Sequence, residues 1–128
     1  MVMLDANVIL RYLLNDNEDM AAQAEEIIRK NRPMVTIEVM AEVVYVLSGV
    51  YSVDRTAIAD SLIRFLDEVE MREPEVLREG LRTYGTTRLD FVDCILYGYR
   101  KVRSYEVATF DRKLKRLLTS VEETNEIK

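Results

Sequence analysis

The sequence predicts an α/β fold: a single domain with a short central parallel sheet flanked by helices. Three observations predict it. Met1-Val-Met-Leu is a short apolar run that stops at Asp5 just as a helical pattern of apolar residues begins. Such a run reads as a buried strand that delivers a carboxylate to the carboxyl edge of a sheet, where ligands of open α/β sheets bind. Met34-Val-Thr-Ile and Glu106-Val-Ala-Thr-Phe are further short runs of strand character. Amphipathic segments of helical length separate them, and strands alternating with helices imply a parallel sheet.

In order, the first strand leads into a short helix near residues 7–14. Asn15-Asp-Asn-Glu-Asp then reads as a turn and helix start, its acidic residues suiting a first helical turn. Met20, Ala24, Ile27 and Ile28 follow helical spacing, and Asn31-Arg-Pro33 closes that helix. Thr36 is placed to cap a helix over 38–48, which is apolar around most of its circumference. The next helix carries one stripe, Ile58, Leu62, Phe65, Leu66 and Val69. Glu70-Met71 has room for a short edge element. Pro74 suits a first helical position, with Leu77, Leu81 and Tyr84 on one face and Gly85 as terminator. The helix after Leu89 is expected to turn Val92, Ile95, Leu96, Tyr99 and Val102 inward. Glu106–Phe110 is the last expected strand and Asp111–Leu118 the last helix. Residues 1–118 form the expected domain, and 119–128 a polar tail, either a short edge strand or frayed.

Composition narrows the chemistry. The 128 residues are 48% apolar and 32% charged, with two prolines and four glycines. That describes one globule able to bury about two-thirds of its unfolded surface. No apolar run reaches the roughly 18 residues of a membrane span. The N-terminus lacks the pattern of a signal peptide, and the single cysteine fits a reducing compartment, so the expected location is cytoplasmic. Histidine is absent. No imidazole can serve as general base, which removes Ser-His-Asp and Cys-His triads and leaves hydrolysis to carboxylates and hard metal ions.

Five acidic residues at four places stand out. Asp5 and Asp111 each follow a strand-like run, Glu42 sits in an otherwise apolar helix, and Asp90 and Asp93 are three apart, which puts them on one face at a helix start. Each also has a structural explanation: Asp5, Asp90, Asp93 and Asp111 can cap helices or meet a helix dipole, and Glu42 can lie on a narrow solvated stripe with Glu38 and Tyr45. One acidic pocket holding one or two hard divalent cations accounts for all of them together, and such a pocket suits phosphodiester chemistry.

Leu4-Asp-Ala-Asn7, Ala41-Glu-Val43, Leu89-Asp-Phe-Val-Asp93 and Ala108-Thr-Phe-Asp111 together resemble a PIN domain, and in order and interval the VapC-type toxins of toxin–antitoxin pairs. The resemblance covers Met1 to about Leu118. It implies an endoribonuclease dependent on Mg²⁺ or Mn²⁺, a homodimer, held silent by a cognate antitoxin protein. Metal binding and catalysis fall by this resemblance to Asp5, Glu42, Asp93 and Asp111. Asp90 takes an accessory acidic position, and Asn7 and Thr109 resemble polar groups that support the ligands. The same motifs on a module that binds RNA or protein without cutting are the alternative. A haloacid dehalogenase-type phosphatase needs an acid two residues after the first aspartate, where Asn7 stands. A receiver domain needs an aspartate after a central strand, where Glu38 stands.

Net charge is −5, unevenly spread. Residues 1–99 carry ten basic and eighteen acidic side chains, and residues 100–116 carry seven basic ones against Glu106 and Asp111. Arg100, Lys101, Arg112, Lys113 and Arg116 are therefore candidates for RNA phosphates, with a solvated helix face as the plain alternative.

Overall fold

A computed structural model describes the backbone of residues 1–127 and the side chains of residues 1–121. The chain divides into two compact units, Met1–Arg72 and Glu73–Lys128. The first holds helices α1 (Ala6–Leu14), α2 (Glu18–Asn31), α3 (Ile37–Gly49) and α4 (Arg55–Phe65), with a 3₁₀ turn at Leu66–Glu68. The second holds α5 (Pro74–Thr86), α6 (Phe91–Arg103) and α7 (Arg112–Ile127).

In the first unit, short-range capping sets the helix starts. Asp5 Oδ1 accepts from Val8 N at 3.0 Å, Asn17 Oδ1 from Met20 N at 3.1 Å, and Thr36 Oγ1 from Val39 N at 3.2 Å. Each bond satisfies an amide that the first helical turn leaves without a partner. Arg32, in the left-handed region at φ 41°, closes α2. The core gathers Ile9, Leu10, Ala24, Ile28, Met40, Val43, Val44 and the expected α4 stripe. Met20 is exposed, and Ala21 takes its place on the buried face of α2.

The expected parallel sheet is not formed among the described residues, which include no strand. Three extended segments instead meet at two parallel bridges, Met3 with Met34 and Met34 with Glu70. Leu4 N donates to Met34 O at 3.0 Å and Met34 N to Val2 O at 2.8 Å; Val35 N donates to Glu70 O and Glu70 N to Pro33 O, both at 2.9 Å. The segments are short because caps crowd them. Arg32 ends α2 and Thr36 starts α3, so only residues 33–35 lie between, and Pro33 has no N–H to give. Leu4, Val35 and Val69 turn into the core, the period-2 alternation of a strand in miniature. The Glu70 edge element is real, with the Met34 segment in the middle.

In the second unit, α5 and α6 pack at glycine contacts. A Cβ on Gly80 would come 2.7 Å from Ile95 Cδ1, and one on Gly98 would come 2.6 Å from the Val76 carbonyl oxygen. That approach turns the face of α6 that carries Gly98 toward α5. Phe91, Cys94, Ile95, Tyr97 and Gly98 are buried, whereas Val92 is exposed. The inward stripe expected from the sequence is thus rotated by about one residue, because hydropathy alone gives no weight to a glycine contact. Tyr84 meets Phe91 edge-on, ring centroids 5.9 Å apart.

The strand expected at Glu106–Phe110 is not formed. Those residues run without regular pairing from Ser104, in the left-handed region at φ 59°, to α7. Val107 packs on the cluster of Tyr97, Leu114, Leu118 and Val121, whereas Phe110 is 99% exposed. The apolar run is divided between a helical layer and solvent rather than laid on a sheet. Helix α7 continues past Leu118 to Ile127, so residues 119–127 are helical; Lys128, the end of the expected polar tail, lies outside the described residues.

Candidate functional site

The acidic positions fall in both units. In the first, Asp5 is the exposed N-cap of α1, and Asn7 is exposed in the first turn behind it. Glu42 is exposed on α3 along with Glu38 and Tyr45, the narrow stripe that its spacing suggested.

In the second unit, Asp90 occupies the N-cap position of α6 in extended backbone conformation, and Asp93 stands one turn inside that helix. The glycine-led rotation of α6 leaves Asp93 at the margin of the buried face, half-buried. Asp111 caps α7: its Oδ1 accepts from Leu114 N at 2.8 Å, and its own N–H donates to Thr109 Oγ1 at 3.0 Å. Burial pushes the Asp93 carboxyl above its ordinary range, and the negative charges of Asp111 and then Asp90 push it the same way. The neighbouring pair Asp90 and Asp93 and the more distant Asp111 thus share one electrostatic neighbourhood.

The capping readings hold for Asp5 and Asp111, yet they do not compete with ligation. A carboxylate offers about four acceptor directions on two oxygens, and each cap bond uses one of them. Among the described residues, no three acidic or cysteine side chains converge tightly enough to form a metal cage. The donor chemistry around Asp93 nonetheless fits a hard ion. Mg²⁺ is held through one or two carboxylates with the remaining positions left to water and substrate phosphates, and needs no all-protein cage.

The match to a known family now has its structural setting. The PIN domain model matches residues 2–118, a span that takes in Asp5, Glu42, Asp90, Asp93 and Asp111. This chain belongs to the PIN domain family. PIN domains have an α/β, nuclease-like fold; in this PIN domain the described residues form no strand, and the first unit holds two isolated parallel bridges. No curated protein and no solved structure matches the chain.

The basic candidates of this PIN domain separate on inspection. Lys101 is committed: its Nζ lies 2.9 Å from Glu79 Oε1 and 5.9 Å from the Tyr97 ring centroid. Arg100 is half-buried, and its Nη1 donates to the Ser104 carbonyl at 3.4 Å. Arg112, Lys113 and Arg116 are exposed on α7. Sequence reasoning passed over Arg88, an exposed cation in the loop before α6. Its adjacency to the Leu89-Asp90 motif was the available signal, but a lone charge in a loop carries no pattern. No helix among the described residues is long and apolar enough to cross a membrane.

Proposed function

We propose that this PIN domain is a Mg²⁺- or Mn²⁺-dependent endoribonuclease and, on its resemblance to VapC-type proteins, the toxin of a toxin–antitoxin pair. The observation that carries the reading is the carboxylate neighbourhood of Asp93. A half-buried acid beside two like charges is costly as a purely structural arrangement, and a divalent cation relieves that cost. Such an ion supplies an activated water and charge compensation for the leaving oxygen, the chemistry that phosphodiester cleavage needs in a chain without histidine.

The roles of the chain's own residues follow. Asp93 and Asp111 would hold one ion or share a pair, with Asp90 adding charge beside them. Thr109, hydrogen-bonded to the Asp111 amide, orients that residue's backbone. Asp5 and Glu42 take the same ligand role on the motif match alone, with Asn7 supporting Asp5. Exposed Arg112, Lys113 and Arg116 meet substrate phosphates, whereas Arg100 and Lys101 contribute less because their guanidinium and ammonium groups already have protein partners. A homodimer and an antitoxin that inserts a basic side chain against Asp5 or Asp93 complete the reading.

Cleavage of total RNA with Mn²⁺ and with excess chelator, followed by mapping of the cut ends, tests it. The expected result is metal-dependent cleavage leaving 5′-phosphates. Asp5→Asn, Glu42→Gln, Asp93→Asn and Asp111→Asn should each lower the rate by at least about 100-fold, the upper end of what loss of a group that merely supports a metal ligand costs. Undiminished cleavage in chelator would overturn the proposal. RNA binding without any cleavage would favour the module that binds without cutting.

A further inference from the structure

Helices α1, α2 and α6 each end on a residue in the left-handed region: Asn15, Arg32 and Ser104. Helix α5 does not. It runs one residue past Gly85 to Thr86, and Thr87 follows in extended backbone, at φ −130° and ψ −179°. A helix closed in that way lacks the left-handed turn that commonly returns amides to the last carbonyls. The Thr87 hydroxyl serves one of them instead: Oγ1 donates to the Thr83 carbonyl at 2.8 Å.

The same oxygen accepts from Leu89 N at 3.2 Å. A hydroxyl carries one proton and two lone pairs, so it can do both at once. Thr87 thereby joins the last turn of α5 to the residue before Asp90. Leu89 is held from its other side as well. Its side chain is buried, and its carbonyl accepts from the buried Cys94 thiol at 3.7 Å. Asp90 makes no side-chain cap bond to α6, whereas Asp5 and Asp111 cap the helices that they start. The side-chain bond that fixes the approach to α6 comes from upstream, at Thr87. Thr86 differs from its neighbour: its Oγ1 faces the carbonyls of Arg82 at 3.0 Å and Thr83 at 3.4 Å, both in α5.

We infer that Thr87 is a positioning residue for the acidic site, its hydroxyl setting where α6 begins relative to the end of α5. The inference rests on the nuclease reading above and deepens it by naming what holds the site in register. Thr87 acts through the Leu89 backbone. Asp90 is the next residue and Asp93 stands one turn further on, so a shift at Leu89 moves both against Asp111. Valine at this position keeps the branched shape and removes both bonds. Serine keeps both.

Mn²⁺ binding, followed by electron paramagnetic resonance of the free ion, and amide hydrogen exchange in excess chelator test the role. Thr87→Val should bind Mn²⁺ about 10-fold more weakly, the low end of what losing a supporting group costs a metal site. Thr87→Ser should bind it as wild type does, and Thr87→Ala, which adds no bulk, should repeat the valine result. In chelator the Leu89 amide of Thr87→Val should exchange roughly 2- to 10-fold faster, the scale of one net hydrogen bond. Thr86→Val removes a hydroxyl bonded only within α5 and should leave both readouts unchanged. Wild-type Mn²⁺ affinity in Thr87→Val and Thr87→Ala, equal loss in Thr86→Val, or no recovery with serine would overturn the inference. Wild-type protein that neither binds Mn²⁺ nor cuts RNA would overturn the nuclease reading and this inference with it. Wild-type protein that does both, beside a Thr87→Val variant that matches it, would overturn this inference alone.

Discussion

At Asp93 two opposing effects act on one carboxylate. The positive end of the α6 dipole favours the charge by roughly 0.3–1 kcal/mol. Against it stand burial and the charges of Asp111 and Asp90. Burial and two like-charged neighbours act together against that one dipole. The raised pKa has that sign. Without metal, Asp93→Asn should therefore unfold at the same temperature as wild type or a higher one near neutral pH. Because the folded-state pKa lies above the unfolded one, the wild-type penalty is full above the folded pKa and fades as pH falls through it. The gap between the two proteins should close accordingly. With saturating Mn²⁺ the order should reverse, since ligand binding stabilises the wild type by mass action. Thermal scans of both proteins in chelator and in Mn²⁺ decide it: a variant less stable under both conditions would return Asp93 to a purely structural role.

At the scale of elements, the contact of α5 with α6 decides how the acidic face is displayed. Gly98 lets the Val76 carbonyl approach to within 2.6 Å of where a Cβ would stand, and backbone has little freedom to retreat. Gly98→Ala gains roughly 1 kcal/mol of helix propensity but must overpack the contact, at a typical cost of about 1–3 kcal/mol. The net effect should be a lower denaturation midpoint. Gly80→Ala meets first the far end of the Ile95 side chain, which can move, so its loss should be the smaller. Urea titrations of the two variants check the order; a Gly98→Ala variant as stable as wild type would remove the glycine contact as the reason for the rotated α6 stripe.

For the molecule as a whole, large apolar side chains remain at the surface of both units. Met1, Met3 and Val50 are 84%, 60% and 71% exposed, and Phe110 is 99% exposed. Scattered exposure of this kind is ordinary for one or two residues; a fully exposed phenylalanine beside a candidate ligand is less so. The homodimer proposed above gives such groups somewhere to go. Sedimentation at micromolar concentration should show a dimer, and a monomer there would count against that association.

Much of this PIN domain is written in short-range terms that a sequence displays directly. Asp5, Asn17, Thr36 and Asp111 bond amides three residues ahead, so the helix starts follow from local chemistry. The α4 stripe is equally legible, because one face of one helix needs only its own periodicity. The four acidic motifs could be picked out from residue type and spacing. What tertiary structure alone decided involves partners distant in sequence. The expected strands gave way to two isolated bridges because caps on neighbouring helices left the extended segments no length. The inward face of α6 was set by the backbone of α5, which hydropathy does not represent. Burial, and after it the charge of Asp111, raised the Asp93 carboxyl, and α7 brought Lys113 and Arg116 to a groove that Arg88 lines, only when the second unit folded. Capping and periodicity act over one or two helical turns, whereas helix packing and charge crowding depend on which surfaces meet.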